Sequence, residues 1–245
     1  MMRRTPVLVT MSFAAFAALA GCSVPDEPVE IHDPYEGANR KVHAFNRAID
    51  RAALDPTATV YGTVVPRPLR SGFSKVANNL DTPRFLLNNI LQGNVEDAGL
   101  NTFRFLLNST VGIGGLFDFA ESIGLERAPT GFGETLHVWG VQEGAYIELP
   151  VLGPSNERDA FGRAVDFVSN PLRAVVPADE DWVFTAATIT DGLNTRYQFD
   201  STIASIYNSA DSYAQARSLY LQNRRFELGE DEEDFLFDPY ADFEE

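Results

Sequence analysis

Few side chains in this sequence combine the chemistry and the spacing needed to act on a bond. The three histidines, His32, His43 and His137, never fall at the His-Glu-x-x-His spacing of a zinc-binding helix. The two lysines, Lys41 and Lys75, follow Arg40 and Ser74, not the glycine of a phosphate-cradling loop. No Gly-x-Ser-x-Gly elbow is present. Gly112-x-Gly114-Gly115 lacks the strand-turn-helix setting of a dinucleotide fingerprint. Carboxylates are plentiful, but pairing them for acid–base work needs a geometry that spacing does not supply. The sequence therefore offers no assembled catalytic constellation, no metal set and no cofactor motif. Its polar side chains stand in rows instead. Asn39, His43, Asn46 and Asp50 recur at steps of 4, 3 and 4, which is one face of a helix. Arg47, Arg84 and Arg104 carry guanidinium groups, whose planar fork matches phosphate. These residues are candidates to line a polar passage or to contact a phosphate. The plainer readings are a solvated face and arginines paired with carboxylates.

The only thiol belongs to Cys22. Arg3 and Arg4 form a basic start, and an apolar run from Val7 to Ala20 follows, which together read as a secretory signal. The run ends in Leu19-Ala20-Gly21-Cys22. This resembles the lipobox at which bacterial lipoproteins are cut and acylated, so 1–21 is expected to be removed and Cys22 lipidated. Plain cleavage after Ala18-Leu19-Ala20 is the alternative. Lipidation would consume the thiol, leaving the mature chain no disulfide and no cysteine ligand. The longest uncharged stretch after Cys22 is Phe105 to Phe117, 13 residues. A spanning helix needs about 20 apolar residues, so the mature chain is expected to lie on or in one leaflet and not to cross as a single helix.

The chain carries 19 basic and 35 acidic residues, a net charge of −16. Ten of the acids, and no base, fall in 227–245, which reads as a disordered acidic tail or as a docking motif for a periplasmic protein. The acidic balance argues against nucleic acid and against electrostatic docking on anionic lipid.

The elements that must position these residues are helices. Residues 22–32 read as a flexible, lipidated tether. Asp33-Pro34-Tyr35-Glu36 reads as a helix start, with Asp33 as cap. Ala38, Val42, Phe45, Ile49 and Ala52 then form an apolar stripe. A second helix is predicted over 67–80 on Leu69, Phe73, Val76 and Leu80, and a third is predicted to restart at Asp81-Thr82-Pro83 and end at Gly93. Asn94 caps a fourth, whose Phe103, Phe105, Leu106 and Leu107 make it apolar nearly all round. Val111 to Phe119 sets large apolar groups on a glycine-loosened backbone. Gly112, Gly114, Gly115 and Phe117 are its candidate gate residues, and a packed core turn is the alternative. Residues 128–154 read as irregular, with one extended piece at 146–151. Helices are predicted again over 156–169, 179–195, 199–208 and 209–226. The expected fold is all-α, a single helical domain over 33–226 with an irregular, glycine-rich middle.

Several stretches together resemble one family, the VacJ/MlaA outer-membrane lipoproteins that maintain lipid asymmetry. They are Asp33-Pro34-Tyr35-Glu36-Gly37-Ala38-Asn39-Arg40 with Phe45-Asn46 and Asp50; Asn79-Leu80, Pro83, Asn88 and Leu91-Gln92-Gly93; and Arg104-Phe105, Asn108-Ser109-Thr110, Gly112 and Gly115-Leu116-Phe117-Asp118 with Ala120. Phe132-Gly133-Glu134-Thr135-Leu136, Trp139-Gly140, Gly144-x-Tyr146, Leu149-Pro150, Gly153-Pro154 and Arg158-Asp159 continue the pattern, with a weaker echo at Asp211-Ser212-Tyr213, Arg217 and Gln222. The likeness spans roughly 33–225 and leaves out the acidic tail. It implies a ring-like helical protein sunk in the periplasmic leaflet of the outer membrane. It implies three partners: phospholipid, a trimeric outer-membrane porin and a soluble periplasmic lipid carrier. The implied task is passive and not enzymatic: removal of misplaced phospholipid from the outer leaflet. Two other functions stay open: a lipid-hydrolysing lipoprotein using a buried carboxylate or His137, and a structural envelope tether.

Overall fold

A computed structural model describes residues 31–229 except Asp181. The signal segment, Cys22, the tether up to residue 30 and the tail from 230 onward lie outside the described residues.

Helix α1 (Glu36–Ile49) follows Asp33-Pro34-Tyr35, but Asp33 does not cap it through its side chain. The carboxylate instead accepts from Asn39 Nδ2 at 2.9 Å and from Tyr213 and Arg217 of the last helix. A π-helical turn, Asp50–Leu54, leads into α2 (Asp55–Val64), a helix the hydrophobic spacing does not predict. Its threonines and valines are weak helix formers. Packing decides instead: α2 lies against a later helix, and a Cβ on Gly62 would stand 2.2 Å from the Tyr197 ring.

The two helices predicted over 67–93 are one, α3 (Arg67–Gln92), running through Pro83. Proline removes one ladder bond. Side chains engage the carbonyls around it: the Thr82 hydroxyl donates to Asn78 O (2.9 Å) and Asn170 Nδ2 donates to Leu80 O (3.1 Å). Gly93, at φ +75°, ends the helix as predicted. Asn94 caps α4 (Val95–Thr110) by accepting from the Asp97 amide at 3.1 Å.

A short α5 (Phe119–Ser122) follows the glycine turn, and the segment expected to be irregular leads through α6 (Phe132–Val138) into an antiparallel hairpin of β1 (Tyr146–Leu149) and β2 (Gly153–Asn156), with Tyr146 opposite Asn156 and Leu149 opposite Gly153. The fold is mostly helical as expected, and β1 lies within the extended piece expected at 146–151. Gly153-Pro154-Ser155-Asn156 carries no strand propensity, so the second strand leaves no sequence signal. Then follow α7 (Glu157–Ser169), α8 (Pro171–Val175), a 3₁₀ turn (Ala178–Glu180), α9 (Trp182–Gln198), α10 (Asp200–Tyr207) and α11 (Ser212–Glu227). α3 packs along α4 and α9, α9 also meets α2, and α1 and α11 hold the hairpin. The result is one mostly helical domain.

Three of its helices are inverted. The buried row of α4 is Ala98, Asn101, Arg104 and Asn108, while Val95, Phe103 and Leu106 are 80, 63 and 56 % exposed. α3 buries Asn79, Thr82, Asn88 and Asn89 and exposes Leu69, Phe73, Ile90 and Leu91. α1 buries Asn39 and His43, and Phe45 of its apolar stripe is exposed. The stripe on α1 and the all-round apolar reading of α4 are thus corrected: the polar side is the packed side. Among the described residues the largest apolar cluster joins only Tyr146, Tyr213 and Leu221. A water-soluble helix does the opposite, burying its apolar stripe. No described helix is long and apolar enough to cross a membrane.

Candidate functional site

The polar row of α1 faces the hairpin. Asn39 donates from Nδ2 to Tyr146 O (3.0 Å) and accepts the Glu148 amide (3.0 Å). Asn46 donates to Leu149 O (3.0 Å) and accepts the Val151 amide (2.7 Å). Each asparagine therefore replaces a missing strand neighbour for the hairpin's backbone, as buried amides must be paired. Asp50 takes two hydrogen bonds from Arg196, at 2.7 and 3.0 Å. Between Asn39 and Asn46, His43 stands with Nδ1 3.0 Å from Glu148 Oε1 and Nε2 3.0 Å from Ser212 Oγ. The edges of Tyr207 and Tyr213 close on the imidazole, and Arg47 donates to the same Ser212 oxygen at 3.3 Å. His43, Asn46, Asp50 and Glu148 are among the polar residues lining a 530 Å³ cavity, together with apolar Leu152, Ile203, Ile206 and Leu219.

Two of the other arginines singled out in the sequence are ion-paired. Arg104, 4 % exposed, donates to Asp118 Oδ2 at 2.7 Å and also bonds Leu125 O. Asp118 further accepts from Asn108 Nδ2 (2.9 Å) and the Glu121 amide (3.0 Å). Burial works to raise this carboxyl, but the Glu121 amide, Asn108 and Arg104 together hold it below the usual carboxylate range. Arg84 lies 3.1 Å from Asp166 and 3.5 Å from Asp81, over the Phe85 ring.

The glycine segment is a tight, hydrogen-bonded turn. Gly114 N donates to Ser109 O (3.1 Å), Gly115 N to Asn108 O (2.7 Å) and Phe117 N to Gly112 O (2.9 Å). Ile113, Gly114 and Gly115 all have positive φ, and Ile113 and Phe117 point outward, 66 and 57 % exposed. The candidate gate residues thus share one turn but not one face: Gly114 and Phe117 are exposed, whereas Gly112 and Gly115 are buried, Gly115 against Asn79.

A second cavity of 520 Å³ lies between α3, α9 and the segment after the turn. Arg67, Arg70, Lys75 and Arg127 line it, beside Asp118, Glu121 and Asn194. Arg70 is fixed by Val65 O (3.0 Å), Asn194 Oδ1 (2.9 Å) and the Tyr197 ring, and Arg127 donates to Asn78 Oδ1 (2.8 Å).

Residues 31–227 match the family model described as MlaA lipoprotein. The chain belongs to the MlaA lipoprotein family. Among its relatives, the intermembrane phospholipid transport system lipoprotein MlaA of Haemophilus influenzae is 30 % identical over 234 residues, covering 93 % of this chain and 92 % of that protein. The protein of the same name from Escherichia coli is 33 % identical over 199 residues, 79 % of this chain and 77 % of its own length. An uncharacterized protein of Rickettsia prowazekii is 36 % identical over 195 residues, covering 78 and 75 %. A solved structure described as the structural basis for maintenance of bacterial outer membrane lipid asymmetry superposes with a TM-score of 0.70 at 32 % identity, covering 80 % of this chain and 98 % of that one.

Within this MlaA family member, His43, Asn46 and Asp50 meet at one cavity, whereas Arg84, Arg104 and the turn lie elsewhere. Sequence reasoning missed Arg67, Arg70, Lys75 and Arg127. A signal was there: Arg67, Arg70, Ser71, Ser74, Lys75 and Asn78 recur at helical spacing, a polar row beside the Leu69 and Phe73 stripe.

Proposed function

We propose that this chain is a lipid-anchored outer-membrane protein, seated in the periplasmic leaflet, that offers phospholipid head groups a polar path past hydrocarbon. The inverted helices carry this reading. Hydrocarbon stabilises side chains such as Val95, Phe103 and Leu106 on the outside, while every polar group beneath must find a protein partner. Asn39, Asn46, Asn101 and Asn108 all do. A head group in transit needs such a polar interior, because a charge at the bilayer centre costs several kcal/mol or more. Acyl chains on Cys22 supply the anchor, at ~0.8 kcal/mol per buried methylene. The family relationship supports phospholipid as cargo, removal from the outer leaflet as direction, a ring-like body, and a porin trimer and a periplasmic lipid carrier as partners. The sequence has no nucleotide-binding motif, so transfer is passive, drawn by a partner that holds lipid more tightly.

The test replaces Cys22 with alanine and measures membrane fractionation and surface-exposed phospholipid. The variant is expected to leave the outer membrane and to raise outer-leaflet phospholipid. Unchanged lipid composition with the chain free in the periplasm counts against the reading.

One observation favours a second reading. Ser212, His43 and Glu148 are aligned as nucleophile, base and orienting carboxylate are in hydrolases. The channel reading is preferred because Ser212 Oγ is buried, accepts from Arg47 and does not line the cavity beside His43.

A further inference from the structure

The cavity between α3 and α9 is electrostatically out of character with the chain. The protein carries a net charge of −16, and most of its buried arginines are matched with acids, as Arg84, Arg104, Arg196 and Arg224 are. Arg67, Arg70, Lys75 and Arg127 differ: all four line one 520 Å³ cavity, and none makes an ion pair among the described residues. The acid that could neutralise them, Asp118, is already committed to Arg104 and Asn108. Glu121, the remaining carboxylate, stands at the edge, exposed and without an ion pair among the described residues.

Arg70 is held in place. Val65 O and Asn194 Oδ1 orient its guanidinium, and Tyr197 backs its face at 4.8 Å. Asn194 is itself braced by Ser74 Oγ at 3.0 Å. Pre-oriented guanidinium donors beside two freer cations suit a tetrahedral anion with several oxygens. The volume falls within the ~300–1,000 Å³ of small-molecule sites.

We infer that this cavity is a phosphate site for a zwitterionic lipid head group, with the phosphodiester on Arg67, Arg70, Lys75 and Arg127 and the head group's ammonium at Glu121. The inference rests on the proposed transport function and names which cargo the interior recognises. An anionic head group without an amine would gain the cations but leave Glu121 opposed by like charge. A free phosphate would likewise leave Glu121 unused.

The test titrates the purified full chain in detergent, by calorimetry, with dihexanoyl phosphatidylethanolamine, dihexanoyl phosphatidylglycerol and inorganic phosphate. The ethanolamine lipid is expected to bind about fivefold or more tighter than the glycerol lipid, and inorganic phosphate about tenfold weaker than either. R67Q/K75Q is expected to lose about tenfold or more on both lipids, and R67K/K75R to restore them. E121Q is expected to abolish the preference for the ethanolamine lipid while keeping affinity for the glycerol lipid. Equal binding of lipids by wild type and R67Q/K75Q overturns the site, as does inorganic phosphate binding as tightly as lipid. An ethanolamine preference that survives E121Q overturns the role of Glu121. Surface-exposed phospholipid in cells separates the two levels. A wild-type chain that lowers it while R67Q/K75Q binds lipid normally leaves the transport reading standing and removes this site. A wild-type chain with no effect on it removes both.

Discussion

Replacing Val95, Phe103 and Leu106 with serine tests whether the outer face of α4 is wetted by lipid. The three side chains are 80, 63 and 56 % exposed. Full transfer of such a side chain out of water is worth ~1.5–3 kcal/mol. Scaled by those exposures, the row contributes about 3–6 kcal/mol of membrane affinity, or two to four powers of ten at ~1.4 kcal/mol per decade. The substitutions belong in a Cys22→Ala chain, so that acyl groups do not mask the effect. Co-sedimentation with phosphatidylethanolamine and phosphatidylglycerol vesicles reads the affinity, and thermal unfolding in detergent reads the fold. Serine costs at most ~0.5 kcal/mol of helix propensity per position, so unfolding should move little. The opposite face is the control. Asn101 is 2 % exposed and donates to Ala128 O at 2.8 Å, so Asn101→Leu leaves that carbonyl unpaired and is expected to cost ~1–3 kcal/mol of stability. Vesicle binding unchanged by the triple substitution would refute the reasoning. So would a triple variant that unfolds as readily as Asn101→Leu, because α4 would then be burying its apolar side.

Asp118→Asn breaks a buried pair by one partner and is expected to cost ~3–5 kcal/mol, whereas Arg104→Met with Asp118→Leu should cost less; the thermal midpoints compare them. Gly114→Ala is the clean probe of the turn, since nothing lies within 4 Å of its added Cβ and its φ of +67° adds only ~1–2 kcal/mol. It should preserve protein level and raise surface phospholipid, whereas Gly112→Ala, whose Cβ would sit 2.2 Å from Phe117 O, should lower the level itself. Asp118 and Asp159 both have carboxyls held below the usual range, Asp159 because Arg224 and Tyr220 outweigh its burial. Their contribution is full above pH ~4 and lost as pH falls through the depressed values, so the thermal midpoint should hold from neutrality to about pH 4 and drop below it. Ser212→Ala should leave fatty-acid release from labelled phospholipid at the background of the wild-type chain; release that Ser212→Ala abolishes would instead establish a hydrolase.

Helix spacing was legible wherever a cap or a turn residue marked it, as at Asn94 and Gly93. The family likeness was legible too: the expected span of roughly 33–225 compares with a match over 31–227. Which face packs was not legible, because hydrophobic periodicity assumes water outside. The stripe of α1 was real, but its inward side is the row of Asn39, His43 and Asp50. Nor was the meaning of individual polar groups. Arg104 reads alike as a phosphate ligand or a pair for Asp118 until 14 residues of chain are folded back between them. β2 was invisible because its backbone is held by pairing with β1, whose other edge Asn39 and Asn46 occupy, and not by its own propensity. Proline marked a break that α3 does not make, and one tertiary hydrogen bond, from Asn170 to the neighbouring Leu80 carbonyl, accompanies it.

Asp33 ties the entry of the folded body to Tyr213 and Arg217 near the start of its final helix. Glu227 ends that helix ten residues beyond Arg217, a rise of about 15 Å. From Asp33 back to Cys22 the chain can reach at most ~40 Å. The described body is thus entered and left at points within about one helix length of each other, so if Cys22 is acylated as proposed, a soluble visitor drawn to the acidic tail would meet the bilayer's own surface.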